Sequence, residues 1–178
     1  MDGSTIRIAG VVSDSIVDGP GLRLSIFVQG CPHHCEGCQN PETHDFEGGI
    51  EFDTEDFISR VRDEIIHNPI LAGVTSTGGE PIAQVSAVLK IAEAVRELGK
   101  NVVLFTGYTY EELLKMSDDE PDIKKLLALC MLLVDGRFIL EQKSLQLKFR
   151  GSSNQRLIDP AASLKCGEMV PWKSKFDF

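Results

Sequence analysis

The stretch RLSIFVQGCPHHCEGCQN, at residues 23–40, decides how this chain folds. It opens with Arg23–Val28, an apolar run typical of a buried β-strand, and continues with three cysteines spaced as C-x3-C-x2-C. Cys31, Cys35 and Cys38 supply three thiolates to one metal centre, whereas a 4Fe-4S cluster usually takes four cysteine ligands. The spacing therefore predicts a centre with one open coordination position, as catalytic metal sites have and structural ones generally lack.

The same cysteines leave other interpretations open. Zinc accepts mixed sulfur and nitrogen ligands, so His33, His34 or His44 could complete a zinc site. The C-x3-C-x2-C order differs, however, from the paired C-x2-C of zinc ribbons and from the C-x2-C-x2-C run of bacterial ferredoxins. Of the two remaining cysteines, Cys130 lies in an apolar run that favours buried packing, and Cys166 stays open as a fourth ligand.

Composition and charge exclude several classes of protein. Of the 178 residues, 42% are hydrophobic and 25% charged, so we expect one domain over residues 1–178, with 150–178 as a C-terminal extension. A net charge of −9 argues against a nucleic-acid surface, and the longest apolar run, 126–134, is too short for a membrane span. Five cysteines, three of them crowded together, favour a reducing, cytoplasmic location over a disulfide framework.

Apolar periodicity alternates between strands and helices along the chain. Strands are predicted at 6–12, 23–28, 73–76, 102–105 and 131–134. The helices between them are predicted to begin near Asp53 or Thr54, at Val85, at a capping box of Thr109 and Glu112, and at Pro121. Gly99 is expected to close the second of these helices. The order is α/β, with about five or six mostly parallel strands.

Polar or glycine-rich motifs directly follow four of the predicted strands. They are Cys31, the sequence TGGEP at 77–81, Thr106-Gly107 and Asp135-Gly136. Because the carboxyl ends of parallel strands meet at one edge of a sheet, where α/β proteins bind ligands, we expect these motifs to share a single site.

The TGGEP sequence has a physical interpretation of its own. Gly78 and Gly79 lack a Cβ, so their backbone can approach a ligand closely, and Glu80 supplies a negative charge suited to an ammonium group. The alternative is a plain strand-to-helix turn in which Pro81 starts the helix. Asp135 likewise either holds a ribose hydroxyl or a cation, or belongs to a turn.

A further set of residues carries a likeness to known proteins. VDGPGLR at 17–23, Phe27, Gly30-Cys31, the other two cysteines and Asn40 stand in the order found in activating enzymes of glycyl radical enzymes. The chain thus resembles these members of the radical S-adenosylmethionine superfamily. It is most similar to the activases of anaerobic ribonucleoside-triphosphate reductase, on CPHHCEGC at 31–38, NPET at 40–43, TGY at 106–108 and GSSNQR at 151–156. The likeness covers residues 11–159.

The resemblance implies a fold, two cofactors and two protein partners. The fold would be a partial, open TIM-like β/α barrel, and Cys31, Cys35 and Cys38 would hold three irons of a 4Fe-4S cluster whose fourth iron is chelated by S-adenosyl-L-methionine. Reductive cleavage of that cofactor to a 5′-deoxyadenosyl radical would generate a glycyl radical on anaerobic ribonucleoside-triphosphate reductase. Reduced flavodoxin, ferredoxin or a similar electron donor would supply the electron, and no side chain is needed as a catalytic acid or base.

The resemblance also implies a set of cofactor-binding residues on the cysteine loop and at three strand ends. They are Gly37, Cys38, Gln39, Gly78, Gly79, Glu80, Thr106 and Asp135. The chain departs from the family at Gly37 and Gln39, where relatives often carry an aromatic residue, and at His44, where they often have Trp or Tyr. Adenine stacking must therefore come from elsewhere.

Two rival functions remain from other classes. A second small radical enzyme, such as a 7-deazaguanine-type synthase, would share the cluster but act on its own purine-like substrate. A non-enzymatic iron–sulfur electron carrier or zinc-binding module would have no chemistry with S-adenosylmethionine.

Overall fold

One seven-stranded β-sheet runs through the protein, whose computed structural model describes residues 3–174. Its strands are β1 (Thr5–Ser15), β2 (Arg23–Val28), β3 (Ile50–Asp53), β4 (Gly73–Gly78), β5 (Asn101–Phe105), β6 (Cys130–Asp135) and β7 (Arg156–Ile158). Their order across the sheet is β3-β1-β2-β4-β5-β6-β7. The central strands β2, β4, β5 and β6 are parallel, whereas β1, β3 and β7 pair antiparallel to their neighbours. The edges β3 and β7 do not pair, so the sheet is open.

The α/β class and the five predicted strands are confirmed, but the expected number of strands is too low. The sequence pattern misses β3 and β7, which are only four and three residues long. Such short edge strands are defined by their register with a neighbour, Ile8 opposite Ile50 and Val134 opposite Leu157, and not by a pattern of their own. A closed barrel is not formed, because the order of strands has two free ends.

Within residues 3–174, four α-helices lie between strands of the sheet and a fifth follows β7. They are α1 (Thr54–His67), α2 (Val85–Glu97), α3 (Tyr110–Met116), α4 (Pro121–Leu129) and α5 (Pro160–Cys166). The predicted helix starts are confirmed: Asp53 caps α1 by accepting from two backbone amides, and the capping box of Thr109 and Glu112 opens α3. Gly99 follows α2 with φ +71°, as expected for a C′ glycine. Within residues 3–174, none of the helices has the length and apolarity needed to cross a membrane.

The two faces of the sheet have different roles. Side chains alternate along each strand, so Leu133 packs into the main core with the helices, while Leu132 and Val134 point to the other face. There they form a smaller apolar cluster with Val103, against which Phe149 and other half-buried side chains pack. The helices thus cover one face. The other face is covered by loops and not by helices, and we call it the open face.

A buried arginine fills the open face at the amino ends of the parallel strands. A charged side chain at a strand start is usually solvated, but Arg23 is fully buried. Its guanidinium donates to the Thr75 hydroxyl at 3.0 Å and to the Val74 carbonyl at 2.6 Å, and it also contacts the Asn101 side chain. Burial lowers the pKa of Arg23 to about 10, and Asp18 opposes that shift. This network lies at the end of β2 opposite the cysteines.

Candidate functional site

A cavity of about 430 Å³ lies on the open face at the carboxyl ends of the parallel strands. The residues around it come from the end of β1 and the turn after it, the cysteine loop, the ends of the parallel strands and a segment at 136–155, which we call the strap. Of the residues predicted from the sequence, it is lined by Cys31, Cys35, Cys38, Gln39, Gly78, Gly79 and Thr106. The separate strand-end motifs therefore meet at one cavity.

The cysteine loop after β2 is held in place by backbone hydrogen bonds. The Gly30 amide donates to the Thr43 carbonyl at 2.8 Å, and the Cys31 amide donates to the His44 carbonyl at 3.3 Å. The Gln29 side chain, which is also buried, donates to two further carbonyls of the segment that follows the cysteines. These contacts fix both ends of the loop, so the thiols are presented from a constrained backbone.

The three thiols suit an iron–sulfur cluster in number and chemistry. Cys31 is buried and the other two are half-buried, and all three are free thiols on one cavity. Burial raises the pKa of the Cys31 thiol, and the nearby charges of Glu80 and Cys35 raise it further, against hydrogen bonds from the loop backbone. Within residues 3–174, no three Cys, His, Asp or Glu side chains already converge at metal-binding distances. An all-sulfur donor set is nevertheless what iron–sulfur clusters require.

The remaining cysteines lie away from the cavity. Cys130 begins β6 in the main core, where burial raises the pKa of its thiol to about 12. Cys166 ends α5 and is exposed, and its S–H donates to the Glu168 carbonyl. Neither residue lines the cavity, so the structure gives Cys166 no place as a fourth ligand to the same centre.

Both glycines of the turn at 78–80 are required by close packing against β2 and the start of the cysteine loop. Gly78 has φ +94°, and a Cβ there would lie 2.6 Å from the Cα of Phe27. A Cβ on Gly79 would lie 2.5 Å from the Gly30 carbonyl oxygen. The Gly79 amide donates to the Val28 carbonyl at 2.8 Å, which holds the turn against the end of β2. The absence of side chains thus lets the two loops meet.

Glu80 is fully buried, and its carboxylate is hydrogen-bonded within the protein. One oxygen accepts from the Ile82 amide at 3.0 Å and the Thr106 hydroxyl at 2.9 Å. The other accepts from the Gly107 amide at 2.8 Å and lies 2.7 Å from His33 Nε2. Glu80 does not line the cavity, so its predicted contact with an ammonium group remains a prediction.

Asp135 is also buried, at the end of β6, and does not line the cavity. Its carboxylate accepts from the Tyr110 amide at 2.7 Å and from the Arg156 guanidinium, which also binds Glu111 at 2.7 Å. The hydrogen bonds that Arg156 donates to Asp135 and Glu111 raise the pKa of Arg156. The neighbouring Gly136 reaches the cavity in place of Asp135.

The strap supplies residues that the sequence reasoning missed. Phe138 and Gln155 line the cavity, and Gln155 holds the strap together by accepting from the Gly151 amide at 2.8 Å and donating to the Gly136 carbonyl at 2.9 Å. Gln155 lies in the GSSNQR sequence that carries part of the family resemblance, whereas no pattern singled out Phe138.

The strap also packs beside the glycine that precedes the third cysteine. Gly37 has φ +68°, and a Cβ there would lie 2.8 Å from the Cδ1 atom of Leu140 in the strap. Gly37 does not line the cavity. Its positive φ favours glycine, and a larger side chain at position 37 would also have to displace the side chain of Leu140.

Comparisons with known proteins agree with this site. The family described as 4Fe-4S single cluster domain matches residues 17–158. An anaerobic ribonucleoside-triphosphate reductase-activating protein of Vibrio cholerae is 38% identical over 147 residues, covering 79% of this chain and 89% of the relative. The Escherichia coli K12 protein of that name is 34% identical over 149 residues, covering 79% and 90%. A pyruvate formate-lyase-activating enzyme of Clostridium pasteurianum is 36% identical over 117 residues, covering 63% and 49%. The chain therefore belongs to the 4Fe-4S single cluster domain family and, within it, to the anaerobic ribonucleoside-triphosphate reductase-activating proteins.

Proposed function

We propose that this chain is a radical S-adenosylmethionine activase that generates a glycyl radical on an anaerobic ribonucleoside-triphosphate reductase. The observation that carries the proposal is the set of three thiols on one cavity, with both other cysteines outside it. Three ligands leave one iron of a 4Fe-4S cluster without a protein ligand. A cluster that binds a cofactor needs such an iron without a protein ligand, whereas a cluster that only carries electrons does not.

Each group of cavity residues has a role in this proposal. Cys31, Cys35 and Cys38 would hold three irons, and when bound, the cluster and S-adenosylmethionine supply the one-electron chemistry that forms the glycyl radical. The backbone of Gly78 and Gly79 would line the methionine end, with Thr106 beside it. Gly37 and Glu80 do not line the cavity and would instead support the residues that do.

The open sheet supports a partial barrel with a lateral mouth for the partner. Val12 and Val17 line the cavity yet are 47% and 69% exposed, so its rim is apolar and reachable from outside. A glycine-bearing loop of the reductase would enter there. Residues 150–174 belong to the same single domain in this proposal, because Arg156–Ile158 completes the sheet as β7.

The source of the electron and the cellular location are parts of the same proposal. A reduced flavodoxin, ferredoxin or similar protein would donate the electron. All five cysteines are free, which supports a reducing, cytoplasmic location.

The test is an anaerobic mixture of the reconstituted protein, a reductant, S-adenosylmethionine and an anaerobic ribonucleoside-triphosphate reductase. Electron paramagnetic resonance should then show a glycyl radical on the reductase, and none when S-adenosylmethionine is left out or when Cys35→Ala replaces the wild type. Iron, sulfide and zinc analysis of the same preparation identifies the bound metal. A zinc-loaded protein, or an iron–sulfur protein that gives no radical with any such reductase, would contradict the proposal.

A further inference from the structure

We propose that His33 is a positioning residue that latches the cysteine loop to the turn at 78–80 through the buried carboxylate of Glu80. His33 lies between Cys31 and Cys35, and its Nε2 is 2.7 Å from Glu80 Oε2. Its side chain is only 4% exposed and that of Glu80 is 0% exposed. The proposal rests on the proposed function, because it concerns how these residues prepare the site for S-adenosylmethionine.

Glu80 joins three loops at one point. Its own turn follows β4. Its partners Thr106 and Gly107 belong to the loop after β5, and its partner His33 belongs to the cysteine loop after β2. An ionised carboxylate only accepts hydrogen bonds, so the Nε2 of His33 carries the hydrogen in this contact. Without His33, this oxygen of a buried carboxylate keeps the Gly107 amide as its one remaining protein donor among the described residues, and the link between Glu80 and the cysteine loop is lost.

The ring of His33 sits in a slot shaped to receive it. The Tyr108 ring meets it edge-on, with centroids 4.5 Å apart and an interplanar angle of 71°. A Cβ on Gly107 would collide with the imidazole, so the slot exists only because residue 107 is glycine. The neighbouring His34 differs in every respect, since it is exposed and its ring lies against His44.

The latch lies beyond the backbone contacts that already join the two loops. The amides of Gly79 and Glu80 donate to the Val28 and Gly30 carbonyls, both before the first cysteine. His33 adds a contact inside the cysteine motif itself, two residues after Cys31. Loss of this contact leaves three thiols to bind the cluster but no longer fixes the position of the thiols relative to the turn at 78–80. The expected defect is therefore in S-adenosylmethionine binding and not in cluster content.

The experiment compares wild type, His33→Ala, His33→Gln and His34→Asn, all reconstituted anaerobically. Glutamine can place an amide donor near the position of Nε2, and asparagine tolerates the φ of +47° found at residue 34. The primary measurement is the S-adenosylmethionine concentration that gives half of the change in the reduced cluster's paramagnetic resonance spectrum. Amide hydrogen exchange of the metal-free proteins is the second measurement, with residues 101–105 as the internal reference.

We expect His33→Ala to keep wild-type iron and sulfide but to need at least about tenfold more S-adenosylmethionine, the loss typical of a hydrogen bond to a charged group. His33→Gln should recover most of that loss, His34→Asn should match wild type, and residues 31–38 should exchange faster only in His33→Ala. A His33→Ala requirement within about twofold of wild type, or unchanged exchange at 31–38, overturns the latch. If His33→Ala holds no cluster, the exchange measurement decides. A wild-type spectrum that ignores S-adenosylmethionine refutes the proposed function instead, and exchange still tests the latch.

Discussion

Gly79→Ala is the substitution that probes the packing of the site most sharply. The new Cβ would lie 2.5 Å from the Gly30 carbonyl oxygen and 2.9 Å from that of Val28, closer than Cβ atoms normally approach. Both oxygens belong to the backbone and accept hydrogen bonds at 2.8 Å from the turn at 78–80, so relief requires the two loops to separate. Gly79 has no positive φ, and the cost is therefore steric. Forcing a methyl group into such a contact costs about 1–3 kcal/mol.

Thermal unfolding of the reduced, metal-free protein measures this cost. For a chain of this size each kcal/mol corresponds to roughly 2–4 °C, so Gly79→Ala should lower the Tm by roughly 2–12 °C. Gly10→Ala is the matched control, because no atom lies within 4 Å of its added Cβ, and its effect should stay within about 0.5 kcal/mol. After reconstitution, only Gly79→Ala should weaken the spectral response to S-adenosylmethionine. Equal Tm values for the two variants would refute the packing argument.

The cysteines and the ion pair between Arg156 and Glu111 give three further measurable outcomes. Cys35→Ala should lose the cluster that responds to S-adenosylmethionine, whereas Cys166→Ala should keep wild-type iron and sulfide because its thiol lies outside the cavity. In the metal-free protein at about pH 8, iodoacetamide should label Cys166 and spare Cys130, because the Cys130 pKa of about 12 leaves almost no thiolate. Mass spectrometry measures the labelling, and equal labelling of the two cysteines would contradict this prediction. Hydrogen bonding from Arg156 lowers the pKa of Glu111 below its usual value of 4.5. Above pH 4.5, Glu111→Gln should therefore destabilise the protein, by at most about 1 kcal/mol because the pair is exposed. Urea unfolding should show the difference vanishing as pH falls through the lowered pKa, and a difference that persists at low pH would exclude the ion pair as its cause.

Local patterns predicted much of the fold. The Asp53 cap, the Thr109 capping box and Gly99 each depend on residues within one turn, so the sequence alone sufficed to place them. The shared site was also predictable, because parallel strands bring their carboxyl ends to the same edge. β3 and β7 were not, since strands of four and three residues are defined only by pairing with a distant neighbour.

The finer structure of the site depends on contacts between distant parts of the chain. Glu80 carries a charge that suits a ligand, yet its partners His33 and Gly107 are 47 and 27 residues away and bury it completely. Gly37, where relatives often carry an aromatic residue, has a positive φ and packs beside Leu140 of the strap. Such pairs leave no periodic signal, so neither role followed from local sequence.

The central claim is that one iron of the cluster has no protein ligand, and Mössbauer spectroscopy of ⁵⁷Fe-reconstituted protein tests it most directly. With Cys31, Cys35 and Cys38 as the only protein ligands, adding S-adenosylmethionine should shift the signal of one iron in four and leave the other three unchanged. Four irons that all ignore S-adenosylmethionine, or a site that takes up zinc in place of iron, would contradict the account.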